Sequence, residues 1–449
     1  MKRKLTLREY IWVASMLFGM FFGAGNLIFP VSMGQMAGWE VWRASAGFLV
    51  TGVGLPLLGV AALGSSRSEG LFDLSSKVNR PYAYFFTCLL YLTIGPFFAI
   101  PRCATTSFTV GLERILPAGG NPRLFLLLFT LAFFAVALLL SLYPGKILVW
   151  IGKILNPFFL VFLGILVVVA LLHPTAAIAQ VEPVGSYGSQ PFFTGFLEGY
   201  NTMDALAGLA FGIVVVQVIR GLGVEEPGAV AGSTVRSGIF SCLLMALIYV
   251  AVTVVGTQSR GALPVAENGG VAFAQIARYY LGGPGLLVLA ATVTLACLKT
   301  AVGLITRCAE TFAGLFSKGP SYRVWAVIFS AGSFLFANLG LDAIIAYSLP
   351  VLMFLYPLAV MLIALALAGP LFDHDRCVYN WAMGFTLVGA VYDLLRSLPA
   401  GLRAVCHLDG MIEAVGAALP FAELGLGWVC PALVGLALGL IRRSMQKRA

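Results

Sequence analysis

Long apolar runs separated by short polar loops recur along the whole chain. Most runs are about 20 residues or longer, the length that an α-helix needs to cross a bilayer, and they lack the alternation over about ten residues that is typical of membrane β-strands. Hydropathy read in windows of about 19 residues predicts about twelve helical spans. They lie near 10–36, 43–64, 82–112, 123–142, 145–172, 192–220, 230–256, 283–308, 323–340, 342–369, 378–397 and 424–441. The pattern therefore predicts an all-α polytopic membrane protein.

Basic residues are distributed unequally over the predicted loops. If the amino terminus lies inside the cell, nineteen Lys and Arg residues fall in or beside inner loops and seven fall in outer loops. Lys and Arg accumulate on the cytoplasmic side of membrane proteins. Both termini are therefore predicted to be cytoplasmic, in a multi-pass protein of the cell membrane. The formal net charge of +9 is read as a result of this topology, since no nucleic-acid-binding motif accompanies it.

Composition supports this class and excludes others. Charged residues make up 10% of the chain, against about 25% in soluble domains. The eight cysteines have no metal-ligand spacing, and the three histidines fall in loops. Without a metal-ligand cluster, a nucleophile elbow or a large catalytic loop, an enzyme is not expected. No cofactor, no certain metal and no obligate protein partner is predicted. An ion channel would need a continuous polar pore or a charged ring, and the spans contain only isolated polar positions.

Two of the predicted spans contain glycines where a continuous helix would be disfavoured. The segment FGMFFGAGNLIFP (18–30) places two glycines and Asn26 in the middle of the first span. The segment GYNTMDALAGLAFG (199–212) places Asp204 and two glycines in the sixth. Glycine costs a helix about 1 kcal/mol relative to alanine. Alternatively, these glycines allow neighbouring helices to pack closely, as small residues do in membranes.

Broken helices at matching positions of two halves are typical of transporters built from inverted repeats. We therefore expect one transmembrane domain over residues 1–449, with a first repeat of five helices at 10–172, an inverted second repeat at 192–369 and two additional helices at 378–441. A broken helix exposes N–H groups that suit a carboxylate, and carbonyl groups that suit an ammonium group or a metal cation. An amino acid zwitterion carries one group for each end.

At these positions the chain resembles a known family. The segments FGAGNLIFP (22–30), FAIPRCATTSF (98–108), TMDALAGLAFG (202–212) and ACLKTAVGL (296–304) are similar, in this order, to the branched-chain amino acid:cation symporters. The resemblance implies the LeuT-type fold of five plus five inverted helices with two more at the carboxyl end. It also implies import of leucine, isoleucine and valine by alternating access, driven by a sodium or proton gradient.

The resemblance implies a substrate site at the two breaks. At the first break, the N–H groups of Ala24 and Gly25 would hold the substrate carboxylate. The carbonyl of Phe21 would face the ammonium group, and the side chain of Asn26 would contribute an oxygen nearby. At the second break, the resemblance implies a pocket completed by Ala207, Gly208 and Leu209, with Phe211 as an apolar wall.

The resemblance also implies a cation site between the first and eighth helices, but one residue does not fit it. The carbonyls of Gly19, Phe22 and Ala296 and the hydroxyl of Thr300 match the expected ligands, whereas Lys299 occupies the second hydroxyl position. Lys299 lies about 12 Å from the inner end of its helix, too deep to reach water by its own length. We expect its ammonium group to replace sodium, which makes proton-coupled or ion-independent transport plausible. Alternatively, it faces a wet inner vestibule.

Two further charges lie inside predicted spans. Arg102 and Asp204 are at comparable depth, so a buried ion pair between them is expected. Asp204 could instead pair with Lys299, and the sequence does not decide between these partners. The nearest alternative function keeps the fold but changes the cargo to another amino acid or a nucleobase-type solute.

Overall fold

The computed structural model describes residues 5–23, 25–115, 121–143, 146–224 and 226–448, and this part of the chain is helical with no strand. The α-helices are α1 (Leu7–Phe21), α2 (Gly25–Ala37), α3 (Val41–Leu49), α4 (Leu55–Ser65), α5 (Leu71–Ser76), α6 (Arg80–Leu92), α7 (Ala99–Val110), α8 (Pro122–Leu142), α9 (Lys146–Leu172), α10 (Pro191–Glu198), α11 (Asp204–Gly221), α12 (Pro227–Ser259), α13 (Gly269–Leu315), α14 (Tyr322–Ala337), α15 (Leu341–Ala368), α16 (Arg376–Ser397), α17 (Ala400–Val405), α18 (Asp409–Ala418) and α19 (Val429–Arg448). Each of the twelve predicted spans overlaps with at least one of these helices.

Several of these helices have the length and apolarity of membrane spans. Within the described ranges, seven helical stretches qualify by length and composition, and two shorter apolar helices accompany them. Some predicted spans consist of two helices joined by a short irregular turn. The second span passes through a wider turn at Val50–Gly54, and the third bends at Gly95 within Thr93–Phe97. The eighth begins just after Gly282, where a φ of +66° interrupts α13.

The predicted break in the first span is present. Helix α1 ends at Phe21, and Phe22 is extended with φ −74° and ψ 103°. Helix α2 begins at Gly25. In its first turn, the N–H of Asn26 donates a hydrogen bond of 3.2 Å to the carbonyl of Gly23. The first span therefore consists of two half-helices with separate ends, as the glycine pattern predicted.

The predicted break in the sixth span was placed too far along the chain. Helix α11 is continuous through Ala207, Gly208 and Leu209, and the interruption lies earlier, where Met203 adopts a left-handed conformation with φ +63°. A short 3₁₀ turn, Gly199–Thr202, separates this residue from α10. The break therefore lies about one helical turn before the predicted position.

The glycines of α11 have a packing role. A methyl group at Gly208 would lie 2.6 Å from the carbonyl oxygen of Pro56, and one at Gly212 would lie 2.9 Å from a methyl of Val60. Both neighbours belong to α4, so the glycines let α4 and α11 approach closely, as small residues do at helix contacts in membranes. This contact fixes the half-helix that begins at Asp204.

Replacing Gly208 with alanine is therefore expected to destabilise the protein by about 1–3 kcal/mol, because the added methyl group overlaps the α4 backbone. The melting temperature of the detergent-solubilised protein measures this effect. Gly232→Ala in α12 is the matched control, since a methyl group there meets no atom within 4 Å. Equal melting temperatures for G208A and the control would contradict the packing role.

Candidate binding site

The two breaks meet at a small cavity, which we call the central cavity. Its volume is about 60 Å³, room for a few water molecules but not for an amino acid. Helices α1, α2, α7, α11 and α13 and the two breaks contribute to its wall. Five of the predicted substrate residues line it, namely Phe21, Gly25, Asn26, Ala207 and Phe211. The cavity is thus closed around the half-helix ends.

Two predicted substrate residues lie away from this wall. Gly208 packs on α4 instead, and the side chain of Leu209 is fully buried away from the cavity. The physical reason is the position of the break: because α11 is already helical at these residues, their backbone groups are not free to contact a ligand. A third predicted residue, Ala24, lies outside the described part of the chain.

The side chain of Asn26 connects both breaks. Its Oδ1 accepts a hydrogen bond of 2.8 Å from the N–H of Gly23. Its Nδ2 donates to Oδ2 of Asp204 at 2.5 Å and to the hydroxyl of Tyr249. The Tyr249 hydroxyl also donates to the same Asp204 oxygen at 3.4 Å. One buried amide therefore holds the α1 end, the α11 start and α12 together.

Asp204 is the first residue of α11, and its position suits its charge. The positive end of a helix dipole lies at the N-terminus and favours a carboxylate there. The N–H of Asp204, the first of the helix, donates to the hydroxyl of Thr202 at 3.3 Å. The residue is 4% exposed and lines the central cavity.

Arg102 contacts the opposite end of the second break. Its Nη1 donates to the carbonyl of Asn201 at 2.6 Å, and its Nη2 donates to the carbonyl of Thr202 at 3.4 Å. The guanidinium carbon lies 5.0 Å from the ring centre of Phe29. A methyl group on Gly25 would lie 2.8 Å from Nη2. Arg102 thus binds the carbonyl end of the segment that follows α10 and abuts the start of α2.

The predicted ion pair between Arg102 and Asp204 is not formed. Among the described residues, neither Arg102 nor Lys299 lies within 4.0 Å of the Asp204 carboxylate. The prediction failed because the sequence does not reveal the free main-chain carbonyls at the break, which attract a cation as helix C-termini do. Each charge is held by its own helix end and not by the other charge.

A larger cavity, which we call the vestibule, lies beside the central cavity. Its volume is about 420 Å³, and its wall includes Gly19, Lys299 and Thr300 from the predicted cation site. Phe211 and Thr300 line both cavities and so form part of the wall between them. Lys299 is partly buried in this wall. The hydroxyl of Thr300 donates to the carbonyl of Ala296 at 3.1 Å.

Sequence reasoning missed three residues at this site. Tyr249 bonds Asn26, Met203 forms the second break, and the Asn201 carbonyl binds Arg102. A tyrosine in an apolar helix gives no signal of such a role. The polar run YNTMD before α11 did offer a signal for Met203, since Asn, Thr and Asp favour helix starts and turns.

The fold and this pair of broken helices define a structural class, the helical membrane proteins with the LeuT-type fold. The chain superposes on Mhp1, a nucleobase-cation-symport-1 family transporter, in a closed conformation with bromovinylhydantoin bound, with a TM-score of 0.62, 15% identity and coverage of 96% of this chain and 91% of the other. For MhsT in complex with L-phenylalanine the TM-score is 0.56, with 15% identity and 98% of each chain covered. At these identities the likeness concerns the fold alone.

The chain belongs to the branched-chain amino acid transport protein family, whose model matches residues 6–446. It is 52% identical over 450 residues to the branched-chain amino acid permease BrnQ of Lactobacillus delbrueckii subsp. lactis, with 100% of both chains covered. It is 41% identical to BrnQ of Bacillus subtilis, with 98% of both chains covered. Its identity to the branched-chain amino acid transport system 2 carrier protein of Pseudomonas aeruginosa is 40%, over 95% of this chain and 94% of the relative.

Replacing Asn26 with alanine is expected to lower the free energy of unfolding by about 2 kcal/mol, because it leaves the partly buried Gly23 N–H without its partner and removes one of the side-chain donors to the Asp204 carboxylate. Thermal unfolding of the purified protein measures the change. Asn380→Ala is the matched control, since Asn380 bonds Asn79 at an exposed site. N26A and N380A unfolding at the same temperature would show that the amide does not hold the breaks.

Proposed function

We propose that this protein imports leucine, isoleucine and valine across the cell membrane by alternating access, coupled to a cation, with both termini in the cytoplasm. The observation that carries the proposal is the meeting of two half-helix ends at the cavity lined by Gly25, Asn26 and Asp204. Family membership and the permease names of the relatives support the substrate class. The protein acts as a carrier and not as an enzyme.

In the proposed complex, the backbone binds the charged part of the substrate. The first N–H groups of α2, beginning at Gly25, bear a partial positive charge and hold the carboxylate. Main-chain carbonyls at the end of α1, including that of Phe21, accept hydrogen bonds from the ammonium group. The same geometry serves every α-amino acid, so the side-chain wall must supply the selectivity.

Part of that wall is apolar and suits an aliphatic side chain. Ile94, Met203, Ala207, Phe211 and Leu304 line the central cavity, together with the charged Arg102 and Asp204. A methylene group in a hydrophobic pocket is worth only about 1–3 kcal/mol of discrimination. The three branched-chain substrates are therefore expected to compete with one another.

Transport requires the central cavity to enlarge and to open in turn to each side. The wall shared with the vestibule is the natural place for the inner opening, because only a few side chains separate the two spaces. Phe211 belongs to this wall, and its ring packs edge to face on Tyr91 with centres 6.1 Å apart. Rotation of Phe211 would join the central cavity to the vestibule.

We further propose that Lys299 takes the place of sodium at the cation site. Lys299 lines the vestibule beside Gly19 and Thr300, and no acidic group lies within ion-pair distance of it among the described residues. A small shift of α1 toward α13 would let the carbonyls of Gly19 and Phe22 accept its protons. Coupling would then depend on protons or be absent.

Gly25→Ala is expected to reduce leucine counterflow in proteoliposomes by at least about tenfold, since the added methyl group collides with Arg102 and narrows the central cavity. Gly221→Ala is the matched control, because a methyl group at this end of α11 meets nothing within 4 Å. Unlabelled isoleucine and valine should compete with labelled leucine. If a nucleobase competed with leucine and these amino acids did not, the proposed substrate class would be wrong.

Leucine uptake at fixed pH is expected to be independent of sodium, because the Lys299 ammonium group already supplies the positive charge at the cation site. Lys299→Gln is expected either to abolish coupling or to make uptake depend on sodium. Uptake by proteoliposomes, with sodium and pH varied separately, measures this. Sodium stimulation of the wild type that persists unchanged in K299Q would contradict the role of Lys299.

A further inference from the structure

A third cavity lies on the α10 side of the second break and is not part of the central cavity. Its volume is about 320 Å³, and it lies between α10, α15, α16 and the segment Glu423–Gly425. We call it the α10–α16 cavity. The segment from Glu198 to Asp204 separates it from the central cavity, with Glu198 and Asn201 on one wall and Thr202 to Asp204 on the other. Its size is that of a small-molecule site.

Polar groups around this cavity lack partners. Asp393 is fully buried, and its Oδ2 accepts a hydrogen bond of 3.2 Å from the N–H of Trp428. The backbone of Gly427 also interacts with this carboxylate, while Oδ1 makes no well-formed hydrogen bond among the described residues. Asn201 is 6% exposed, and its Nδ2 donates to Glu198 at 3.3 Å, while its Oδ1 is likewise unpartnered. Buried polar groups normally have partners, so such a cluster points to a ligand.

The charges on this wall are of both signs. Arg396 donates through Nη2 to the carbonyl of Glu423 at 3.3 Å, and its Nη1 has no partner within the described part. One guanidinium group and three acidic residues, Glu198, Asp393 and Glu423, thus line one cavity, and among the described residues Arg396 makes no direct ion pair with Glu198 or Asp393.

The remainder of the wall is mixed. Five apolar side chains line the same cavity, namely Phe193, Leu197, Leu349, Met353 and Leu424, and so do four uncharged polar ones, Ser186, Gln190, Thr194 and Ser397. A bare metal ion would gain nothing from the apolar side chains and would be repelled by the guanidinium group. A small molecule with an ammonium group, a carboxylate and an aliphatic side chain would use all three kinds of surface.

We propose that the α10–α16 cavity is a second binding site, which takes an aliphatic α-amino acid. Its carboxylate binds Arg396, its ammonium group binds Asp393 and Glu198, and its side chain contacts Leu349 and Met353. This inference rests on the proposed function, because it assigns the same class of ligand to a second place in the protein.

The second site is coupled physically to the first. The backbone carbonyl of Asn201 accepts the 2.6 Å hydrogen bond from Arg102, which lines the central cavity. The side chain of the same Asn201 lines the α10–α16 cavity. A ligand there therefore contacts the segment that forms the second break, and its occupancy biases the position of that segment.

The experiment counts labelled leucine molecules bound per full-length protein in lipid nanodiscs by equilibrium dialysis. The wild type is expected to bind two. Arg396→Gln, which removes the charge, and Leu349→Trp, which fills the cavity, are each expected to bind one. Arg403→Gln is the matched control, an arginine of α17 that does not line the cavity, and it is expected to bind two.

Other counts overturn the proposal in distinguishable ways. A single leucine in the wild type that Gly25→Ala removes would leave the transport site standing and refute the second site. Two leucines in both R396Q and L349W would refute the assignment to this cavity. One leucine together with a bound sodium ion, lost in Asp393→Asn, would assign the cavity to a cation and refute the amino acid. No leucine at all would refute the proposed function as well.

Discussion

Backbone hydrogen bonding in hydrocarbon is the constraint on which the rest of this structure depends. A helix that stops inside the bilayer leaves N–H and carbonyl groups unpaired, each at a cost of several kcal/mol. The first span stops between Phe21 and Gly25, and the sixth stops at Met203. These ends persist because side chains from other helices meet them. Asn26 bonds Gly23 and Asp204, and Arg102 bonds the carbonyls that precede Met203.

The two buried charges lie at helix ends of opposite polarity. A carboxylate lies at the start of α11, and a guanidinium group lies at the carbonyl end of the segment after α10, as the two ends of a helix dipole favour. The two charges form no direct ion pair, and both line the small central cavity between the half-helices. The start of α2 and the end of α1 face this space with main-chain groups of both polarities. A zwitterion fits this pattern better than a simple ion does.

Two neighbouring cavities of unequal size make the surroundings of the site asymmetric. The central cavity holds about 60 Å³ and the vestibule about 420 Å³, with Phe211 on the wall between them. Little space thus lies between the half-helix ends, and a larger space lies on the other side of Phe211. In the proposed alternating access, only a few side chains would have to move to join the central cavity to the vestibule.

The first break could be predicted from sequence because two glycines and an asparagine within four positions disfavour a continuous helix in an apolar run. The second break was predicted at the wrong residues, because glycines such as Gly208 and Gly212 can indicate either a broken helix or close packing, here on α4. The break itself falls at Met203, a residue with no preference for a left-handed conformation. The burial of Arg102 and Asp204 was predictable, but their partners were not, because main-chain carbonyls at a break leave no mark in the sequence. The same holds for the bond from Asn26 to Tyr249, which joins residues far apart in the chain.

An experimental structure with L-leucine bound tests the central claim most directly. The account predicts that the leucine carboxylate lies about 2.7–3.2 Å from main-chain N–H groups at the start of α2. The ammonium group should face the carbonyls at the end of α1, and the central cavity should be enlarged around the side chain. A leucine whose carboxylate is held only by side chains, away from a straight and continuous first span, would contradict it.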